Sequence, residues 1–144
     1  MTSIRLAPFG EEHKAAFTET IRDAMVLRFT GTPDPTPKGW VDVWMQLFVG
    51  TDRHNFAILD ADDTFCGYAV SGPVDREDLE AELGYAVSPW ARGCGVATTA
   101  LQALTTWAFG EGLQRVSLVI SVSNPASSRV AEKAGYTFEG VLRS

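Results

Sequence analysis

The sequence is poor in the residues that build metal sites, disulfide frameworks and membrane spans. Its 144 residues include two histidines and two cysteines, Cys66 and Cys94, and neither cysteine has a partner at metal-binding spacing. No apolar run reaches the ~18 residues that a membrane-spanning helix needs. The start, MTSIRLAPFGEEHK, has neither a basic n-region nor a long apolar stretch. We therefore expect no metal, no membrane and a cytoplasmic protein with reduced thiols.

Positive charge is also scarce. The chain has 12 lysines and arginines against 18 aspartates and glutamates, a net charge of −6. This balance argues against a nucleic-acid partner and is compatible with a cationic substrate. Acidic residues crowd the stretch 75–82, whereas several cations lie later in the chain: Arg92, Arg115, Arg129 and Lys133. An anionic ligand is therefore expected to bind the second half.

The length, together with the lack of repeats and linkers, predicts a single domain over residues 1–144. Alternation and β-forming residues predict strands at 4–7, 55–60, 65–71, 80–87, 116–121 and 136–142. Helical spacing predicts helices at 11–22, 96–109 and 125–134, and another that begins at Pro37 with Thr36 as its cap. Strands come first and then alternate with helices, which indicates a layered α/β domain with a mixed sheet.

The most informative segment is the turn after the strand at 80–87. Gly93 and Gly95 lie within four residues, and an amphipathic helix begins at once. Glycine lets the backbone take positive φ and approach a ligand closely, and the first helical turn offers unpaired N–H groups. These features favour an anion site suited to a pyrophosphate, with Arg92 adding positive charge.

The turn lacks the signatures of other phosphate loops. Gly93-Cys94-Gly95 has no third glycine or alanine at the offset of a dinucleotide fingerprint, and no Gly-Lys-Ser/Thr follows it. A generic nucleotide-binding domain is therefore disfavoured. A tight structural turn is the plain alternative for a glycine pair considered alone.

Two motifs carry a family resemblance. Arg92-Gly-Cys-Gly95-Val-Ala97 resembles the acetyl-CoA pyrophosphate motif, Q/R-x-x-G-x-G/A, of the GCN5-related N-acetyltransferases (GNAT). Asn124-Pro-Ala-Ser127, followed by Gly135-Tyr136, is similar to the later Asn-x-x-Ser…Gly-Phe motif of the same family. The segments ELGYAV, from Glu82, and VLR, ending at Arg143, are typical of its RimJ/RimL branch, which acetylates ribosomal-protein N-termini.

The resemblance implies a central mixed, mostly antiparallel sheet flanked by helices, and acetyl-CoA as co-substrate. By this resemblance, the backbone of Tyr85, Ala86 and Val87 would hold the pantetheine arm and the acetyl carbonyl, on a strand that bulges and splays from its parallel neighbour. The pyrophosphate would rest on the backbone amides of six residues: Arg92, Gly93, Cys94, Gly95, Val96 and Ala97.

The later motif supplies further candidates. Asn124 and Ser127 would lie near the thioester, with Arg129 or Lys133 towards the adenosine phosphate. Helix capping is an equal alternative role for Asn124. Cys94 is expected to be an inert residue filling the turn.

Acetyl transfer to an amine requires the free base, and a side chain or water must accept the proton. Glu82 is the first candidate base and Glu80 the second, the alternative for Glu82 being an exposed carboxylate in a salt bridge. The backbone N–H of Val87 would stabilise the oxyanion. Ser127 is a candidate acid for the CoA thiolate, although the acidity of a thiol can make such an acid dispensable.

The family's fold has one more strand, inserted between those predicted at 116–121 and 136–142. The chain stops at Ser144, so the resemblance implies a C-terminally short domain that lacks this final strand. A truncated chain, a strand from a partner chain and a non-standard edge are the open explanations, with truncation preferred. Dimers are frequent in this branch, so a homodimer is a further expectation.

Two functions therefore stand as hypotheses. One is an enzyme that acetylates a primary amine, either a peptide or protein N-terminal α-amine or a small molecule, by direct attack in a ternary complex. The other is a CoA-binding module without turnover, its acceptor side damaged by the missing strand.

Overall fold

The computed structural model describes residues 3–142. Five strands form one sheet in the order β1-β2-β3-β4-β5. The strands are β1 (Ile4–Pro8), β2 (His54–Asp60), β3 (Phe65–Ser71), β4 (Glu80–Val87) and β5 (Arg115–Ser117). The first four pair antiparallel with their neighbours, and β5 pairs parallel with β4. The predicted mixed, mostly antiparallel sheet is therefore confirmed.

Helices cover both faces of the sheet. They are α1 (Lys14–Ile21), α2 (Ala24–Phe29), α3 (Trp40–Gln46), α4 (Val96–Gly110) and α5 (Pro125–Lys133), with short 3₁₀ turns at Glu11–His13 and Pro89–Ala91. The predictions at 96–109 and 125–134 are confirmed to within one residue. None of the helices in residues 3–142 has the length and apolar content needed to cross a bilayer.

The alternation of β4 gives each face of the sheet its own core. Ala81 and Leu83 point towards α4 and pack with its buried Leu104. Ala86 points to the opposite face, into an aromatic cluster in which the Trp44 and Phe17 rings stack with centroids 4.3 Å apart. Side chains on a strand point alternately to its two faces, so an alternating segment joins two cores.

A charged network closes the end of the sheet where β4 begins. The Arg76 guanidinium donates to both carboxylate oxygens of Asp52, at 2.7 and 3.0 Å, and to the carbonyl of Glu111 at 3.3 Å. The His54 ring lies 2.9 Å from the same Asp52 carboxylate. The hydrogen bonds from Arg76, followed by that of His54, lower the pKa of Asp52 to about 2.

Three sequence-based expectations are wrong. Of the strand predicted at 116–121, only the first two residues are strand, because the ladder with β4 ends at Ser117. Residues 136–142 are irregular, and no described strand pairs with them. Thr36 caps no helix: its hydroxyl donates to the Pro33 carbonyl at 2.8 Å, and α3 begins only after Gly39. Arg143, part of the second branch motif, lies outside the described residues.

Candidate functional site

The strand β4 separates from β5 halfway along its length. The parallel ladder has only three residue pairs and ends at Glu82 and Ser117. On its other side, β4 continues in regular register with β3 as far as the pair Gly67 and Val87, without a bulge in this ladder. Residues 83–87 of β4 therefore have no ladder partner on the β5 side among the described strands, and we call this edge, between β4 and the chain after Ser117, the wedge.

Hydrogen bonds to β3 decide which β4 peptide groups face the wedge. Gly72 N–H donates to the Glu82 carbonyl, and Ser88 N–H donates to the Cys66 carbonyl, both at 2.8 Å. Because hydrogen-bonded and non-bonded pairs alternate along an antiparallel ladder, the even-numbered residues 82–88 direct their peptide groups to β3. The N–H and C=O groups of Tyr85 and Val87 therefore point into the wedge, whereas those of Ala86 are turned towards β3.

The N-terminus of α4 lies directly beyond the end of β4. Gly95 is its N-cap at φ +74°, and no side chain caps the helix. Gly93 is also left-handed, at φ +78°, and a Cβ built on either glycine would meet open space. The first amides of a helix have no partner within the helix, so those of Val96 and Ala97 are available for an anion. This arrangement fits a pyrophosphate group.

The other members of the turn are exposed, but they differ in their contacts. The Arg92 guanidinium forms a two-point ion pair with Asp23, at 2.5 and 3.2 Å. The Cys94 thiol lies 3.6 Å from the Arg92 carbonyl. Because Asp23 balances the arginine charge, attraction of an anion to this turn depends mainly on the peptide amides.

Asp23 belongs to this region, although sequence reasoning does not identify it. Its carboxylate also accepts the Met25 and Val26 amides, at 3.1 and 3.2 Å, and so caps α2. The hydrogen bond from Arg92, followed by the one from the Val26 amide, holds the pKa of Asp23 below its ordinary value. An acidic residue before an apolar run is an N-cap signal, but no local pattern indicates a partner 69 residues away.

A second contact attaches α1 to the same turn. The hydroxyls of Thr20 and Ser88 lie 2.6 Å apart, and both residues are fully buried. Ser88 immediately follows Val87. The corner between α1 and α2 is therefore joined to the end of β4 by a buried hydroxyl pair and to the glycine turn by an ion pair.

Asn124 and Ser127 meet at the start of α5. The Asn124 side chain accepts the Ser127 amide at 3.2 Å and donates from Nδ2 to Ser127 Oγ at 3.0 Å. The capping role weighed for Asn124 is thus present. Burial raises the pKa of the Tyr85 hydroxyl, and the influence of Ser127 lowers it by less. The structure therefore brings Ser127 beside β4.

Glu82 lies on the face of β4 opposite to Tyr85. It is exposed, and no ion pair within residues 3–142 includes it, so the salt-bridge alternative finds no partner there. Glu80 shares this face at the start of the strand and is half-buried. Beyond Glu82, the same face carries Gly84 and Ala86 towards the aromatic cluster.

The cations predicted for the adenosine end both lie on α5. Arg129 and Lys133 are exposed and one helical turn apart on α5. Neither forms an ion pair within the part of the chain that the structure describes.

Similar proteins agree with this geometry. The model of the acetyltransferase (GNAT) domain matches residues 3–137. Over 110 residues the chain is 35% identical to a Bacillus subtilis protein named "Putative ribosomal N-acetyltransferase YdaF", covering 71% of this chain and 60% of that relative. A second protein of the same organism, the uncharacterized N-acetyltransferase YoaA, is 36% identical over 69 residues, 47% of this chain and 39% of that one. The chain thus spans less than two thirds of both relatives.

Solved structures share the fold at low sequence identity. A spermidine N-acetyltransferase from Vibrio cholerae, in complex with CoA and spermine, superposes with a TM-score of 0.84 at 17% identity, covering 96% of this chain and 83% of that one. An acetyltransferase of the GNAT family from Bacillus anthracis gives 0.81 at 23% identity, covering 97% and 86%. Because the family model matches nearly the whole described chain, this protein belongs to the GNAT acetyltransferase family.

Proposed function

We propose that this chain binds acetyl-CoA and transfers its acetyl group to a primary amine by direct attack in a ternary complex. The observation that carries the proposal is the wedge of β4 beside the uncapped N-terminus of α4. Unpaired peptide groups lie at both places. The edge of β4 can hydrogen-bond an acyl-pantetheine arm, and the N-terminal amides of α4 can hydrogen-bond a pyrophosphate. Membership of the GNAT family supports the same conclusion.

The cofactor is assigned mainly to peptide groups. The backbone amides of residues 92–97 hold the pyrophosphate, and open space above Gly93 and Gly95 supports close approach. Tyr85 and Val87 bind the pantetheine arm and the acetyl carbonyl, since their peptide groups face the wedge. Arg129 or Lys133 is assigned to the adenosine phosphate, with its side chain extending from the exposed face of α5.

The chemistry is assigned to three residues around β4. The amine attacks the acetyl carbon, the carbon–sulfur bond breaks, and the amine proton passes to Glu82, directly or through water. The N–H of Val87 stabilises the carbonyl oxygen as it becomes negatively charged. Ser127 donates a proton or a hydrogen bond to the departing sulfur. The exposure of Glu82 on the face opposite to Tyr85 supports the approach of the amine from the α1–α3 side.

A peptide N-terminus is the preferred acceptor, and a small-molecule amine is the alternative. An α-amino group has a pKa of about 8, against about 10.4 for lysine, so a larger fraction is free base at neutral pH. Similarity to a protein named as a ribosomal N-acetyltransferase supports the RimJ/RimL branch. A cytoplasmic location with reduced thiols stays a prediction, and so does a homodimer, which gel filtration can test.

The test has two parts that separate turnover from binding. Calorimetry should show that the purified chain binds CoA, and a thiol assay with acetyl-CoA should show CoA release that depends on an added amine. The amine panel should include peptides with free and blocked N-termini, polyamines and aminoglycosides. Binding without amine-dependent release would leave only the CoA-binding module. Absence of CoA binding by the folded chain would overturn the proposal.

A further inference from the structure

Ser88, the residue that follows β4, is held by three hydrogen bonds, one at each of its polar groups. Its N–H donates to the Cys66 carbonyl at 2.8 Å, and its C=O accepts the Ala91 amide at 2.9 Å. Its hydroxyl oxygen lies 2.6 Å from that of Thr20, and both residues are fully buried. Ser88 is therefore joined at once to β3, to the turn that leads to α4, and to α1.

The direction of the hydroxyl pair follows from the number of protons available. Thr20 Oγ1 donates to the Ala16 carbonyl at 2.9 Å, within α1. A hydroxyl has one proton to donate, so the threonine proton goes to Ala16 and the serine proton goes to Thr20. The result is a hydrogen-bonded chain from Ser88 through Thr20 to the Ala16 carbonyl. A valine at this position of α1 would fill the same space but remove the acceptor of Ser88, so packing alone does not require a threonine.

The peptide group next to this anchor is that of Val87. Its N–H faces the wedge and has no ladder partner there, so its direction depends on the neighbouring residues. This N–H shares one peptide plane with the Ala86 carbonyl, which is turned towards β3. A Cβ on the facing Gly67 would lie only 2.2 Å from that carbonyl oxygen, so β3 approaches this peptide closely. Ser88 holds the chain on the other side of Val87, and the N–H is thus fixed from both sides.

We propose that Ser88 and Thr20 are positioning residues whose hydroxyl pair aims the Val87 N–H at the carbonyl oxygen of bound acetyl-CoA. A donor that is already aimed needs no reorganisation when negative charge develops on that oxygen, and a small displacement of a positioned group slows a reaction strongly. Because α1 packs on the sheet face that carries Glu82 and Ala86, the pair also fixes the amine side of the site relative to the cofactor side. Neither hydroxyl transfers a proton. The inference rests on the proposed function.

The test measures the infrared stretching frequency of the acetyl carbonyl, with isotope-labelled acetyl-CoA bound to the purified chain, and so needs no amine. A hydrogen bond to a carbonyl oxygen lowers this frequency, so the wild-type complex should absorb below free acetyl-CoA. Ser88→Ala and Thr20→Val should each move the frequency at least half of the way back to the free value. The double variant should show no larger shift than the stronger single one, because both substitutions remove the same contact. Thr20→Ser keeps the hydroxyl and should retain the wild-type frequency.

The chain offers a matched control in Thr18. Its hydroxyl donates to the Lys14 carbonyl at 2.8 Å, the same bond within α1 that Thr20 makes to Ala16. Thr18→Val removes this bond without touching the end of β4 and should leave the carbonyl frequency unchanged. Melting curves show which variants are folded. Ser88→Ala tests the inference by itself if Thr20→Val is unfolded, since it leaves the threonine bond to Ala16 in place.

Two results would overturn the inference while the proposed function stands. One is a wild-type carbonyl frequency in folded Ser88→Ala. The other is an equal shift in Thr18→Val, which would indicate a general loosening of α1. A wild-type complex that absorbs at the frequency of free acetyl-CoA is a different result, because it removes the Val87 donor from the proposed function. A folded chain that binds no acetyl-CoA removes the proposed function together with this inference.

Discussion

Replacing Gly95 with alanine tests the glycine turn most directly. Gly95 has φ +74° and ψ 9°, and a Cβ added there would meet no protein atom within 4 Å. The substitution therefore introduces backbone strain but no internal clash. Its methyl group would stand in the open space beside the first amides of α4, where the pyrophosphate is proposed to bind.

The two effects have different sizes. A non-glycine residue in the left-handed region costs about 1–2 kcal/mol, partly offset by lower entropy of the unfolded chain. We expect a net loss of about 1 kcal/mol in the free energy of unfolding, which lowers the Tm by about 3 °C at this size. Losing one charged hydrogen bond to the ligand costs about 1.5–3 kcal/mol, so the Kd for CoA should rise about tenfold or more.

Gly39 provides the matched control. It is the N-cap of α3 at φ +80° and ψ 0°, and its Cβ would likewise meet open space. Gly39→Ala should lower the Tm by a similar amount and leave CoA affinity unchanged. Calorimetric titration with CoA and thermal melts compare the two variants. Wild-type affinity in Gly95→Ala, or an equal loss of affinity in Gly39→Ala, would refute the assignment of this turn.

Three further substitutions test the remaining parts of the site and the fold. Glu82→Gln should lower kcat at least tenfold and leave CoA affinity unchanged. The limb of the pH–rate profile that reports deprotonation of the general base should disappear. An equal effect of Glu80→Gln would contradict this assignment. Asp23→Asn keeps a capping side chain but removes the charge facing Arg92, so it should lower stability by about 0.5–1 kcal/mol at neutral pH. Because the folded-state pKa of Asp23 is depressed, that difference should be present above about pH 4 and shrink as the pH falls through the lowered pKa. The pKa of Asp52 is also lowered, to about 2, so its stabilising effect should be lost as the pH falls from about 4 to about 2. Tm measured against pH should show this loss in the wild type and not in Asp52→Asn.

The sequence predicts the segments whose structure is determined locally. The bounds of β4 follow from strict alternation ended by Ser88 and Pro89, and the predicted strand at 80–87 matches Glu80–Val87. The start of α4 follows from a glycine before an amphipathic run. Both signals lie within a few neighbouring residues, and together they are enough to locate the candidate cofactor turn.

The sequence does not predict features that depend on distant partners. Residues 116–121 have the composition of a strand along their whole length. A strand forms only where a neighbouring strand pairs with it, however, and the pairing with β4 ends at Ser117. The ion pair of Asp23 with Arg92 joins residues far apart in the chain. Likewise, no pattern indicates that the buried hydroxyl of Ser88 meets that of Thr20.

The peptide groups of β4 are independent of its sequence, whereas its side chains are not. Every amino acid except proline supplies the same peptide hydrogen-bonding groups, so the edge beyond Glu82 would persist through many substitutions along the strand. The side chains of Glu82 and Ala86 are the part that mutation can alter, and they project from the sheet face that carries α1 and α3. Proteins that share this strand could therefore change the amine that they bind, while the peptide groups that bind the cofactor stay the same. The expected outcome is a set of relatives that share one fold and differ in their amine substrates.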